Sequence, residues 1–542
     1  MPDAPVLVAG HKRAILISLD GEVQELDAGA AAKIVAGKQI IVCHGAVTVR
    51  RLGVTSAKAP ETLIDVLQLF AFVRPAAFCL PTPGGVSLAL GLNIGPSLED
   101  QAMGILATAR ALLAELTQPQ YPDREATARL AMTMAQAGWP WGTSVLAALG
   151  VPQKSTGALG GLDVWLRLPE WEERPPEPAV AEHPVNPDET RLRLQALLDP
   201  TAELRPQQSN YAAGIASGFS PRDDTDAPNI VLAEAGTGIG KTLGYIAPAS
   251  LWTERNQGAI WFSTYTKNLQ RQIDQELSRL YPDPTEKARK AVIRKGRENY
   301  LCLLNFEEAV ARNRASGNTI TLALLARWAG YSRDGDMVGG DYPAWLENLG
   351  EGTRLGGLTD RRGECIYFAC AHYRKCFIER AVRRARKADI VVANHALVMT
   401  QAVARARDLE EGTERADLPT HYVFDEGHHV FDAADSAFSA CLSGQETAEL
   451  RRWIRGPEGR RARRGRGLEK RVGDLVAGDG EAEYALNQAT LAAAKLPGEG
   501  WLARVAGEGS PTGPAEKFLH AVHNLVRARN PDDSLENLGS WL

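Results

Sequence analysis

Apolar residues along the chain fall into two patterns. Short Ile/Val-rich runs bounded by Gly or charged residues predict strands, and longer stretches with apolar positions every three or four residues predict helices. In residues 1–168, AILISLDGEVQEL and QIIVCHGAVTV read as strands, and LEDQAMGILATARALLAEL reads as an amphipathic helix. In that helix Ile105, Leu106, Ala109, Leu112, Leu113 and Leu116 recur at helical spacing. This mixture predicts an α/β domain over 1–168. Residues 169–188, PEWEERPPEPAVAEHPVNPD, carry no apolar period and are rich in Pro and Glu. A segment of that composition buries too little surface to offset its ordering entropy, so it reads as an extended linker.

From about 189 the pattern becomes strand–helix alternation. NIVLAE, AIWFSTYTK, DIVVANHALV and HYVFDEGHH are short apolar runs that end in polar residues. This is the signature of a parallel sheet with ligands at the strand C-termini. The stretch of about 290–380 interrupts the alternation, and residues 441–542 read as mostly helical. The predicted fold class is α/β throughout, a parallel-sheet ATPase domain over 189–440 preceded by a separate α/β domain.

Composition narrows the class. At 542 residues the chain has room for roughly three or four domains of about 150 residues each. Its 44% hydrophobic and 23% charged content is that of a soluble globular protein. A net charge of −5 argues against a uniformly basic nucleic-acid binder but leaves local basic grooves open. The chain shows no apolar run of membrane-spanning length and no signal-peptide pattern at its start, so the expectation is cytoplasmic, with no membrane partner. Seven cysteines in so long a chain do not form a disulfide framework. Cys43, Cys79 and Cys441 are scattered among apolar or small residues and read as inert thiols.

The chemistry concentrates in two places. The loop AGTGIGKT, residues 235–242, follows an apolar run and opens a helix. Its Gly236, Thr237, Gly238 and Gly240 would let backbone N–H groups converge on phosphate oxygens. Lys241 would reach the β and γ phosphates of ATP, and Thr242 would bind Mg²⁺. Downstream, Asp425 follows the apolar run YVF, as a Mg²⁺-holding carboxylate would, and Glu426 beside it is placed to activate water. A solvated acidic turn is the bland reading of this pair taken alone; with the loop upstream it becomes a catalytic set of Lys241, Asp425 and Glu426. His428 is a candidate relay residue. About thirty residues before the loop, Gln208 in ELRPQQ has the donor and acceptor needed to read an adenine edge, though a plain helix start is equally compatible.

The second place is Cys302, Cys365, Cys370 and Cys376, spaced C-x62-C-x4-C-x5-C. Four thiolates fit structural zinc or an iron–sulfur cluster. The spacing offers no pair of close zinc knuckles and favours a cubane 4Fe-4S cluster. Arg361, Arg362, Arg374, Lys375, Arg380, Lys295 and Arg297 flank these cysteines, with Tyr300, Tyr367 and Phe368 among them. A basic rim with interleaved aromatics suits single-stranded backbone and base stacking. His372, inside the cysteine triad, reads as a surface or phosphate-facing residue.

Taken together, EAGTGIGKT, KGRENYLC, C-x4-C-x5-C, ADIVVANHALV and DEGHH occur in the order found in XPD-like superfamily 2 helicases, and the cysteine spacing resembles that of DinG. The resemblance is strong over about 190–440. It implies a RecA-like motor domain with an inserted 4Fe-4S domain and the start of a helical arch, ATP hydrolysis, and translocation on single-stranded or forked DNA, typically 5′ to 3′. It places Arg205 and Gln208 at the adenine-reading motif, and Thr264 and Gln270 at a motif near the DNA backbone. Asn394 and His395 fall in a further family segment.

Residues 1–168 more faintly resemble DnaQ-like 3′–5′ exonucleases. Asp20 and Glu22 stand at a metal pair and Asp100 at a later metal position, but Val49 replaces a metal-binding Asp and Gly95 a His. That pattern implies an inactive structural or DNA-docking domain. The family's second motor domain, with its QxxGRxxR segment, is not in the chain, which ends within what resembles the arch. There residues 451–471 carry ten Lys or Arg against two acids, compatible with a DNA-facing strip or a basic loop. The competing expectation is an ATP- and DNA-binding regulatory module without unwinding of its own.

Overall fold

The computed structural model describes residues 1–54, 63–151, 160–171, 181–198, 205–222, 227–236, 238–312, 319–348, 357–360, 365–410, 421–439, 444–456, 458 and 467–529. It divides into two compact units, one of Met1–Glu170, Arg297–Phe377 and Ala448–Arg529, the other chiefly of Trp171–Gly296 and Ile378–Thr447. The expected linker residues 172–180 and Cys441 lie outside the described residues.

In the first unit the strands are β1 (Val6–Ala9), β2 (Arg13–Ile17), β3 (Val23–Asp27), β4 (Ile40–Val42) and β5 (Leu63–Asp65), ordered β3-β2-β1-β4-β5. β1 runs antiparallel to β2 and parallel to β4. Side chains alternate across a strand, and here both faces are buried. Val6, Val8, Ile15, Ile17 and Ile41 join one apolar core, while Leu7, Ala9, Leu16, Ile40 and Val42 join another.

Two sequence expectations resolve differently in this unit. AILISLDGEVQEL is a hairpin, β2 and β3, with Asp20, Gly21 and Glu22 in its exposed turn. QIIVCHGAVTV is a strand only as far as Val42, after which Gly45–Arg51 is a helix. The cause is Asp65. Its buried carboxylate accepts the N–H groups of His44 (3.1 Å), Gly45 (2.7 Å) and Leu67 (3.0 Å), tying off the starts of two helices at once. The helix Leu98–Thr117 forms as expected, opened by a capping box in which Asp100 N–H bonds Ser97 Oγ at 3.0 Å. Asp100 is thus occupied in capping the helix.

The larger core of this unit does not stop at residue 168. It runs from β1 through Phe70, Phe72, Trp139 and Trp141 into Leu301, Phe306, Leu324, Leu325 and Trp328 of the cysteine-bearing segment. The helix Thr319–Tyr331 carries the join. On it the buried Arg327 donates to the Phe72 carbonyl (3.1 Å) and to Tyr121 Oη (2.7 Å), inside a ring of Phe72, Tyr121 and Tyr331. Helices of 468–529 complete the unit. There the buried Glu516 carboxylate accepts from Arg504 (2.7 Å) and from the N–H groups of Gly498 and Thr512.

The second unit is built on β6 (Ile260–Thr264), β7 (Ala291–Ile293), β8 (Ile390–Asn394) and β9 (His421–Phe424), in the order β7-β8-β6-β9, all parallel. Ile260, Phe262, Ile390 and Val392 bury one face, and Trp261, Val391 and Ala393 the other. Burial on both faces is why these strands read as continuous apolar runs. The arrangement is compatible with a RecA-like motor fold. The expected strand NIVLAE forms no strand, and Ile230 and Leu232 are 72% and 94% exposed. Apolar, β-branched sequence favours a strand only where a neighbour pairs with it, and among the described residues no strand pairs with this run.

Among the described residues no helix is long and apolar enough to cross a membrane.

Candidate nucleotide site and four-cysteine centre

The nucleotide-site candidates gather at the C-terminal ends of the second unit's strands, where a parallel sheet places its ligands. Gly238 and Gly240 both take left-handed backbone (φ 80° and 87°), and Gly240 caps the helix Lys241–Asn256. At Gly240 the left-handed φ strains any side chain, and a Cβ would also meet Gln208 Nε2 at 2.3 Å and push that amide off the loop. The helix N-terminus supplies a positive dipole end suited to phosphate. Thr242 lies in its first turn, Gly236 lies in the loop, and Thr237 falls outside the described residues.

Arg205 and Gln208 do come to this loop, where they hold its backbone. Arg205 Nη1 donates to the Gly238 carbonyl at 2.6 Å, and the buried Gln208 amide donates to the Gly240 carbonyl at 2.9 Å. Their visible task is to set the loop's shape.

The acidic pair follows β9. Asp425 N–H bonds Ser263 O at 2.8 Å, and Asp425 Oδ2 accepts from Thr264 Oγ1 at 3.4 Å. Burial, reinforced by the neighbouring Glu426 charge, raises the Asp425 carboxyl above its usual range. Glu426, in left-handed backbone (φ 56°), accepts from Lys241 Nζ at 3.1 Å, and that bond lowers its pKa. Two adjacent carboxylates are thereby pushed in opposite directions. Lys241, Asp425 and Glu426 therefore lie together at this end of the sheet.

Thr264 and Gln270, expected near a DNA backbone, are both buried, Thr264 against Asp425. His395, unassigned from sequence, is buried, and its Nδ1 is 2.7 Å from Ser263 Oγ, joining the ends of β8 and β6 beside the acidic pair. Its signal was the position directly after an apolar strand. His428 is largely exposed, 3.7 Å from Glu426, and His429 stacks on Tyr265 with ring centroids 3.8 Å apart.

The four cysteines lie in the first unit, each partly exposed. Cys302 precedes the helix Leu303–Arg312, Cys370 and Cys376 each follow a short 3-10 turn, and Cys365 accepts from the N–H of Tyr367 at 3.3 Å. Burial raises the Cys302 thiol well above its ordinary value, and Asp360, Cys376 and Cys370 raise it further. Burial also raises Cys370, with Cys365 adding to it. Cys302 thus feels Cys370 and Cys376, and Cys370 feels Cys365. Among the described residues no three His, Cys, Asp or Glu side chains stand close enough to hold a single metal ion.

The rim is more selective than the sequence suggests. Tyr300 is core, 3% exposed, whereas Tyr367 and Phe368 are 55% and 85% exposed. Arg297 is held by Asp360 at 2.6 Å and covers the Tyr367 ring. His372 is buried, with Nε2 2.8 Å from Glu307, which corrects its reading as a surface residue. Arg361 and Arg362 lie outside the described residues.

No family model matches the chain. Curated relatives do. The chain is 32% identical over 230 residues to ATP-dependent DNA helicase YoaA of Escherichia coli, covering 41% of this chain and 33% of that protein. It is 32% identical over 254 residues to ATP-dependent helicase DinG of Mycobacterium tuberculosis, covering 44% and 36%. With the Bacillus subtilis protein named 3′-5′ exonuclease DinG it shares 29% over 244 residues, covering 44% and 24%. The matched stretch thus spans about a third or less of each of these relatives. Through that stretch the chain is related to the DinG-like helicase family.

Proposed function

We propose that the chain carries the nucleotide-binding motor portion of an iron–sulfur DNA helicase of DinG type, using ATP hydrolysis to move 5′ to 3′ on single-stranded or forked DNA. The observation that carries this reading is the meeting of Lys241, Asp425 and Glu426 at the mouth of a glycine loop locked by Arg205 and Gln208. Thr242 and Asp425 would hold Mg²⁺, which neutralises charge on the phosphates. Lys241 would exchange its bond to Glu426 for phosphate oxygens. Glu426 would then lose the contact that depresses its pKa and become a better acceptor for the attacking water's proton. Base strength would thus rise only with nucleotide in place, which protects against idle chemistry.

Cys302, Cys365, Cys370 and Cys376 would hold the 4Fe-4S cluster, which contributes a rigid fold. The exposed rings of Tyr367 and Phe368 beside it offer stacking faces to unpaired bases.

The test is ATP turnover with and without single-stranded DNA. Wild type should be stimulated by DNA, and Lys241→Ala should lose about 100-fold or more, as loss of a key electrostatic group does. Turnover retained in the variant contradicts the assignment. Nucleotide binding with no DNA-stimulated turnover would point to a regulatory binding module.

A further inference from the structure

The segment that closes the N-terminal α/β region, residues 164–170, does not simply lead away from it. The half-buried Trp165 sits between the two arms of the four-cysteine centre. On one side its ring meets Phe306 edge-on, centroids 6.0 Å apart. Phe306 is fully buried on the helix that follows Cys302, and its N–H bonds the Cys302 carbonyl at 2.9 Å. On the other side Trp165 meets the His372 ring at 5.7 Å. His372 lies between Cys370 and Cys376, in turns where Tyr373 N–H bonds the Cys370 carbonyl and Lys375 N–H the His372 carbonyl.

The clasp is closed by two polar contacts. His372 Nε2 lies 2.8 Å from Glu307, next to Phe306 on the same helix. Lys375 Nζ donates to the Leu166 carbonyl at 3.3 Å. Sixty-two residues separate Cys302 from Cys365 in sequence, so their spacing must be fixed by tertiary contacts. A rigid aromatic wedged between the two arms does this at small conformational cost.

We propose that Trp165 is a positioning residue of the four-cysteine centre, setting the distance between the Cys302 arm and the Cys370–Cys376 arm, so that the N-terminal α/β region is a working part of that centre. In the loaded protein this rests on the reading of the four thiols as a cluster site; the spacing of the thiols themselves does not.

The experiment compares full-length wild type, Trp165→Ala, Trp165→Phe and Glu307→Gln in two assays. In chelator-treated protein, maleimide labelling of each cysteine is followed by peptide mass spectrometry. In iron-reconstituted protein, iron release to a chelator is followed by absorbance. Outer contacts of a metal site are worth about tenfold or more in retention, so Trp165→Ala should release iron about tenfold faster and label Cys302 and Cys370 faster. Trp165→Phe should stay near wild type and Glu307→Gln fall between. Mg·ATP affinity should be equal in all four.

Release and labelling in Trp165→Ala indistinguishable from wild type would overturn the proposal. If wild type takes up no iron, the cluster reading falls, and the labelling rates still decide the positioning role. If Trp165→Ala loses its native circular dichroism, Glu307→Gln decides: faster release supports the wedge, and unchanged release removes it.

Discussion

Asp425 shows how a buried carboxyl carries a cost for the fold. Its carboxyl is raised from the ordinary value of 3.8, first by burial and then by Glu426. A group raised in the folded state stabilises the fold below its unfolded pKa, and that contribution is lost as pH rises through the folded value. Asp425→Asn should therefore raise the melting temperature at pH 8, with the gain shrinking toward pH 4, while hydrolysis is abolished. Thermal melts at both pH values check this; equal gains at the two, or a loss at pH 8, would contradict it. Such a trade of stability for activity is common where a site must hold charge in a partly dry place. The residue types were legible from sequence because the chemistry constrains them narrowly. The partners of Gln208 were not, since an amide that can read a base can equally hold a loop carbonyl. The burial of His372 and Thr264 was not legible either, because polar residues in short turns carry no periodicity.

Among the elements, those that pack on both faces were the readable ones. β6, β8 and the helix Leu98–Thr117 lie where the apolar pattern puts them. The misread ones answer to a distant group: Asp65 converts the end of QIIVCHGAVTV into a helix start, and NIVLAE has no strand beside it among the described residues. The helix Thr319–Tyr331 is the element on which the first unit's core depends most visibly. Its Arg327 is 3% exposed, and a methionine there would keep the stem but leave the Phe72 carbonyl without that donor. Arg327→Met should lower stability by about 1–3 kcal/mol in denaturant titration, the cost of an unsatisfied buried polar group. No change in the midpoint would show that the guanidinium's own desolvation cancels its bonds.

At the scale of the whole molecule, the sequence suggested a separate N-terminal domain, a linker and an interrupted motor. In the structure residues 1–170 and the cysteine-bearing segment fall in one unit and share its larger core, and the candidate nucleotide-site residues fall in the other. Local pattern cannot reveal this, because shared cores are made by residues hundreds of positions apart. Trp345 Nε1 reaching the Cys79 carbonyl at 3.2 Å is one such contact. The central claim is that the second unit is a nucleotide site organised by Lys241. Calorimetric titration of the full chain with Mg·ATP tests it most directly. Wild type should bind one nucleotide per chain, and Lys241→Ala, with its fold intact by circular dichroism, should lose that binding. Equal affinity in the two proteins, or no binding by wild type, would contradict it.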